Sequence, residues 1–393
     1  MFIARDVLPG LEQELGKKEA TVITGMRRVG KTTLLTYLFD QITSENKYIF
    51  DLENPLHRHI FEEENYDAIW YNLAQYTITN KEKAYIFIDE IQNLPEISTV
   101  IKYLYDHFDI KFVLSGSSSY YLKNLFPESL SGRKIVFEVY PLTFTEFLRF
   151  KGKEKQQEVR FKEKVQKKNK ISYEQYKAYY NEYIEFGGFP SVVLEENQER
   201  KRALLEEIFT SYFEKDAKNL ADFKDMAKLC DLILLLIPRI GQRLEIAKLA
   251  ASLSLSRETV YNYLYFLEQT YFISLLPKFS GSIDRQAAGG KKLFICDSGI
   301  ANILGKLSLG QQFEQSIFQN LHSTHKLHFY SKEGKNEIDF IVDEKEALEV
   351  KLSASLQDVE HLRRRVQNLN LTGAYIVSLE FNEDPNVLLA TDL

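Results

Sequence analysis

Cysteine is scarce in this chain. Of 393 residues only Cys230 and Cys296 are cysteines, far apart and in no C-x-x-C unit. That excludes a disulfide framework and a cysteine zinc site, and it fits a reducing cytosol. Long apolar runs are missing too. The longest, Leu232 to Ile237, is far too short to cross a bilayer, and Met1 to Gly10 lacks the apolar centre of a secretory leader. A cytoplasmic protein without membrane contact is expected. Positive charge is not in excess: 50 Lys and Arg stand against 56 Asp and Glu, a net charge of −6. No global field draws nucleic acid, so any such contact needs a local patch. The length predicts two or three domains.

What is present is a phosphate loop. Gly25-Met26-Arg27-Arg28-Val29-Gly30-Lys31-Thr32-Thr33 follows the apolar run Ala20 to Thr24 and precedes a helical pattern, Leu34 to Gln41. This is G-x-x-x-x-G-K-[ST] between a strand and a helix, the context the motif needs. Gly25 and Gly30 let the backbone turn its N–H groups toward phosphate oxygens, and the following helix N-terminus favours negative charge. The expected phosphate-binding positions are Gly25, Arg28, Val29, Gly30, Lys31, Thr32 and Thr33. Lys31 reaches the β- and γ-phosphates, and the Thr32 hydroxyl is a Mg²⁺ ligand.

Further runs follow. Phe2 to Leu15 reads as a short amphipathic helix, and Lys47 to Asp51 as a second strand. Ala84 to Glu90 is a continuous apolar run ending in two acids, the pattern of a buried parallel strand. Asp89 is assigned to the Mg²⁺ and Glu90 to an attacking water. The strand Lys111 to Leu114 runs into Ser115-Gly116-Ser117-Ser118-Ser119, where Ser115 or Ser117 is placed to contact the γ-phosphate. Arg133, in Ser131-Gly132-Arg133 before the strand Ile135 to Tyr140, has two readings: a surface arginine, or one that stabilises transition-state charge in cis or from a neighbouring subunit.

The order GMRRVGKTT, IFIDEIQNLP, LSGSSS, SLSGR, PLTFTEFL and GGFPSVV resembles the AAA+ ATPases of bacteria and archaea that carry an uncharacterised C-terminal domain. The resemblance spans essentially the whole chain. It implies an α/β fold with a parallel P-loop sheet in the AAA+ strand order, ATP as the nucleotide and an arginine role for Arg133. It supplies no substrate and no oligomeric state, although a homo-oligomer is compatible with it.

The expected division is an AAA+ domain over 1–150, a helical lid-like region over 151–240, a winged-helix region over 241–279 and a last domain over 280–393. Lys151 to Lys170 is charge-dense and reads as a solvated helix or insertion. Leu244 to Ala250 and Arg257 to Gln269, the second capped by Ser256, read as a helix-turn-helix, with Tyr271 to Leu276 as a wing-like strand. Val260, Leu264 and Leu267 form the inner stripe of the second helix. Arg257, Thr259, Asn262 and Tyr263 are expected to face outward, toward DNA or a docked protein.

The last domain holds a second set of acids. In NEIDFIVDEKEALEVKL, placing Ile338, Phe340 and Val342 on one core face with Leu348, Val350 and Leu352 centres the hairpin on Glu344. Asp339 then lies opposite Glu349, and Glu337 opposite Lys351. Two carboxylates suit Mg²⁺, and a nearby lysine can position water for phosphodiester attack. The set Asp339, Glu349 and Lys351 is similar to the PD-(D/E)XK nuclease fold, with Glu314 matching its helical acid; Ile338 stands where that family has a proline. Against this stand a solvated hairpin face and an inactive nuclease-like scaffold. His322, His325 and His328 form a weak metal candidate, and Arg363-Arg364-Arg365 either meets a phosphate backbone or is a charged helix face.

Three functions are compatible with these features. The first is an ATP-driven DNA-processing enzyme with metal-dependent cleavage. The second is a nucleotide switch whose nuclease-like fold only docks a partner. The third, a small-molecule kinase, is disfavoured because the remaining length goes to helix-turn-helix and hairpin regions.

Overall fold

The computed structural model describes residues 2–117, 132–155, 158–217, 225–282, 289–332 and 336–393. The chain divides into two compact units. One comprises Met1–Tyr140 with Gln269–Tyr271, the other Pro141–Glu268 with Phe272–Leu393.

The first unit is built on five parallel strands in the order β2–β3–β4–β1–β5. These are β1 (Ala20–Thr24), β2 (Lys47–Asp51), β3 (Ala84–Asp89), β4 (Ile110–Gly116) and β5 (Lys134–Glu138). β1 and β4 are buried along their whole length, which is why they read as unbroken apolar runs rather than alternating ones. The helix Ile97–His107 packs Val100, Ile101 and Leu104 into the same core. The amphipathic N-terminal segment is helical only over Leu8–Leu15, with Pro9 in its first turn, a position where the missing N–H is no loss. The three residues Gln269–Tyr271 return to this unit: the Tyr271 hydroxyl donates to Glu138 Oε1 at 3.0 Å, and its ring meets Tyr140 edge-on at 5.8 Å.

The second unit contains a helical region, a two-stranded antiparallel pair and a five-stranded mixed sheet. The pair is β6 (Ile273–Pro277) with β7 (Lys291–Ile295), and it crosses the division expected at 280. The sheet runs β12–β11–β10–β9–β8, from β8 (Leu327–Lys332), β9 (Asn336–Val342), β10 (Glu346–Lys351), β11 (Gly373–Ser378) and β12 (Val387–Leu389). β8, β9 and β10 are antiparallel, whereas β10, β11 and β12 are parallel.

The hairpin register is the one expected, with Glu346 opposite Val342 and Leu348 opposite Phe340. The one-sided core face is not. Ile341 and Ala347 are as buried as Phe340 and Leu348, and Leu352 is exposed, because the sheet is covered on both faces. The helix Leu356–Val366 brings Val359 and Leu362 to one face, while Phe340 meets Phe294, itself stacked on Phe318. A bulge adds to the difference. Between the pairs His328–Ile341 and Tyr330–Ile338, β9 carries two residues, Asp339 and Phe340, against the single Phe329. The bulge puts Ile338 and Ile341 in one core cluster and re-aims the side chain at 339.

Two other expectations change. The lysines of 151–170 make only part of a solvated face: Lys153, Lys162, Lys167 and Lys170 are exposed, but Lys155, Lys164 and Lys168 turn inward. Lys155 donates to Thr391 O at 2.6 Å, Lys164 to Asp392 O at 2.7 Å and Lys168 to Val387 O at 2.9 Å, so they satisfy backbone carbonyls that the sheet leaves over. Burial pushes the Lys164 ammonium down to about 8. In the helix-turn-helix, Ile246–Leu253 and Arg257–Gln269 form as expected, Thr259 N–H donates to Ser256 Oγ at 3.0 Å, and Val260, Leu264 and Leu267 are buried. Arg257 and Asn262 face outward and Thr259 is half-buried, but Tyr263 is only 4% exposed and donates to Asp225 O. The exposed aromatics are Tyr261 and Tyr265, one helical turn apart in line with Arg257.

Candidate functional site

The phosphate loop leaves the carboxyl end of β1, the edge at which open parallel sheets bind ligands. Gly25 has φ +145°, and a Cβ there would lie 2.0 Å from Val139 O; no other residue fits. Gly30 is left-handed, with φ +99°, and leads into the helix Lys31–Gln41. Lys31 is buried, and its ammonium donates to Gly25 O (2.9 Å) and Met26 O (3.0 Å), so it spans the mouth of the loop. Thr32 and Thr33 sit exposed in the helix's first turn. From the far side of the loop the buried Arg5 donates to Val29 O and Tyr140 O, both at 2.8 Å. Arg28, exposed and left-handed at φ 67°, and the buried Val29 complete the turn.

Asp89 ends β3 at the same edge. It accepts hydrogen bonds from Thr32 Oγ1 at 2.7 Å, from Ser115 Oγ, and from Glu90 N–H at 3.1 Å. A hydroxyl and a carboxylate in direct contact at a helix N-terminus form a donor set that fits Mg²⁺ beside a phosphate. Glu90 is left-handed at φ 55°, an uncommon conformation for its residue type. Its carboxylate accepts from Gln92 Nε2 and lies 3.8 Å from Arg27 Nη1, which is also 3.7 Å from Glu53. Gln92 is buried, and its carbonyl oxygen accepts from Ser117 N–H at 3.3 Å. Gln92 therefore links the Ser115–Ser117 strand end to Glu90. Sequence reading missed both Gln92 and Arg5. Gln92 sits two residues beyond the acids it serves, while nothing local marks Arg5.

Arg133 is not part of this arrangement. Its carbonyl accepts from Ala20 N–H, at the start of β1, and its guanidinium pairs with Asp106 at 3.3 Å. The loop leaves the other end of that strand, about 16 Å away for five residues, and the guanidinium is directed to Asp106 rather than to the loop. Ser118, Ser119 and Ser131 lie outside the described residues.

In the second unit two of the expected acids, Glu314 and Asp339, come together with Glu337, but around a lysine. Lys292, on β7, is 1% exposed. Its Nζ lies 2.6 Å from Glu337 Oε1, 3.3 Å from Glu314 Oε1 and 3.6 Å from Asp339 Oδ1. Asp339 Oδ2 accepts from Val350 N–H at 2.8 Å, just past the last β9–β10 pair. Glu349 is held by Arg365 (2.9 and 3.2 Å) and by Lys351 at 3.0 Å.

Burial and the charge of Asp339 push the Glu314 carboxyl up to about 8, against the pull of Lys292. Glu349 is raised by burial and by Asp339. Burial lowers Lys292 and Lys351, yet the surrounding carboxylates outweigh it and hold both above their ordinary value. Glu314, Asp339 and Glu349 thus do not fit as a shared metal set, because ammonium, guanidinium and amide donors take their oxygens. Among the described residues no group of three or more His, Cys, Asp or Glu is arranged to hold a metal. The histidines do not converge either: His325 pairs with Asp343 and His322 stacks on Phe318. Arg365 turns inward to Glu349, Arg363 donates to Asn386, and Arg364 lies 3.8 Å from Glu360.

Residues 17–148 match the family described as an AAA domain, and residues 177–312 match a domain of unknown function (DUF8612). The first of these matches falls mostly within the first unit. Relatives of similar length include an uncharacterized protein of Methanocaldococcus jannaschii, 26% identical over 391 residues, covering 95% of this chain and 85% of the relative. Another, from Haemophilus influenzae, is 27% identical, covering 92% and 90%. Among solved structures, an Aeropyrum pernix ORC1 protein in complex with DNA superposes with TM-score 0.32 at 14% identity, covering 77% of this chain and 92% of that one. AMPPCP-bound DnaA of Aquifex aeolicus gives 0.27 at 15% identity, covering 68% and 89%. Similarity this remote says nothing about ligands. No described helix is long and apolar enough to cross a membrane.

Proposed function

We propose that the protein binds and hydrolyses ATP, and that the second unit docks a partner rather than cutting one. The observation that carries the ATPase reading is the contact of Thr32 with Asp89, and of Asp89 with Ser115, at the mouth of a glycine loop whose lysine is already turned inward. Backbone N–H groups from Gly25 to Thr33 and the Lys31 ammonium bind the phosphates, and Ser115 supports Asp89. Thr32 and Asp89 would hold Mg²⁺, whose charge neutralises the phosphate oxygens. Glu90 orients the attacking water and accepts its proton at the carboxylate. Lys31→Ala should abolish nucleotide binding, while Glu90→Gln should bind nucleotide and turn over at least about a hundredfold more slowly. Equal loss of binding in both would contradict these roles.

The docking reading is favoured over metal-dependent cleavage by Lys292, which stands among the acids that cleavage would need. DNA is the partner proposed for the helix Arg257–Gln269, through Arg257, Asn262 and the exposed rings of Tyr261 and Tyr265. A mobility-shift titration against duplex DNA tests it: Arg257→Ala should weaken binding, and an unchanged shift would assign this face to a protein.

A further inference from the structure

Lys292 is placed differently from an ordinary buried lysine. An ammonium has three N–H donors and no acceptor. Here they face three different carboxylates, on the helix Leu309–Leu321 (Glu314) and on β9 (Glu337 and Asp339). Asp339 is held independently of the lysine, and Glu314 is packed against a glycine. Glu314 lies against Gly241, where a Cβ would come within 2.6 Å of Oε2 and where φ is +74°. Asp339 is aimed by the β9 bulge and fixed by Val350 N–H. Residues 240–243 bridge to β7 at Leu293 and Lys292, so the strand that carries the lysine is held on both sides. Three carboxylates converging on one buried point would repel one another without a cation, and a hard divalent ion bound by oxygen is the common solution.

We infer that Lys292 is the resident cation of this cluster, and that it keeps closed a latent divalent-cation site formed by Glu314, Glu337 and Asp339. The lysine gives the fold the charge neutralisation a Mg²⁺ or Mn²⁺ ion would give, and it leaves no place for one. This rests on reading the second unit as a scaffold, and it is independent of the ATPase, whose failure would show separately in Lys31→Ala.

The experiment is a Mn²⁺ titration of the nucleotide-free full chain, followed by thermal unfolding. Wild type is compared with Lys292→Gln and Lys292→Met, each with and without Asp339→Asn. Wild type should show no Mn²⁺ response that Asp339→Asn removes. Both Lys292 variants should melt lower without metal, rise by several degrees in millimolar Mn²⁺, and lose that rise when Asp339→Asn is added. A wild-type rise that Asp339→Asn abolishes would overturn the inference, since the ion would then enter beside the lysine. Folded Lys292 variants that ignore Mn²⁺ would overturn it too. Should neither variant fold, the wild-type titration and its Asp339→Asn control decide alone.

Discussion

Gln92 and Gly187 are single residues whose effects differ in kind. Gln92 touches no phosphate position; it holds Glu90 with one end of its amide and the Ser117 N–H with the other. Gln92→Leu should therefore lower kcat about tenfold while leaving KM near the wild-type value, because it disturbs only the group proposed to act on water. Steady-state kinetics separate the two, and a rise in KM alone would assign Gln92 to binding. Gly187 is a matter of space. At φ +74° its missing Cβ leaves room for the Asp297 carboxylate, which would otherwise be 1.9 Å away. Asp297 is wholly buried and accepts from the N–H groups of Gly188, Gly299 and Ile300 and from Gln319. Gly187→Ala should cost about 3 kcal/mol in denaturant unfolding of the second unit, from overpacking and backbone strain together. A loss well under 1 kcal/mol would mean the carboxylate can move aside.

At the scale of elements, the acid cluster ties β7, β9 and the helix Leu309–Leu321 to pH. The Glu314 carboxyl is raised from 4.5 to about 8, so between those values the folded state holds a proton that the unfolded chain has released. Its contribution is therefore present in full below about 4.5 and is lost as pH rises through 8. Glu314→Gln should flatten this: from pH 5 to pH 8, wild type should lose more thermal stability than the variant. Parallel slopes would show that Glu314 is not the group that titrates.

The same elements show what the sequence could reveal. β1 to β5, the phosphate loop and the Glu344-centred hairpin were legible because burial and turn chemistry are local signals. The two-sided cover of the hairpin was not, because it depends on Leu356–Val366 and on Phe294, elements remote in sequence. Lys292 escaped for a related reason. One cation in a strand beginning Lys-Lys reads as polar edge, and only the return of β9 shows it to be interior. Tyr263 reads as outward because the stripe Val260, Leu264 and Leu267 marks only the centre of a wider buried face, which also takes in Tyr263 and Phe266.

For the whole molecule, a net charge of −6 limits how the chain can meet DNA. Arg257 is the one cation on its helix, so few phosphates can be neutralised there. Affinity should fall with salt on a log–log slope of no more than about 2, far shallower than for extensively basic binders. Fluorescence anisotropy at several salt concentrations measures it, and a slope beyond about 5 would place the contact on another surface.

Tyr271 belongs to a unit whose other members end at Tyr140. During synthesis, at about 5 to 20 residues per second, the first unit waits several seconds after its last strand before Tyr271 can reach Glu138 and Tyr140. Over that interval Glu138 and Tyr140 lack this contact, and because Ile135 and Val136 on β5 are exposed even in the finished chain, the edge offers apolar surface to a chaperone from the moment it forms.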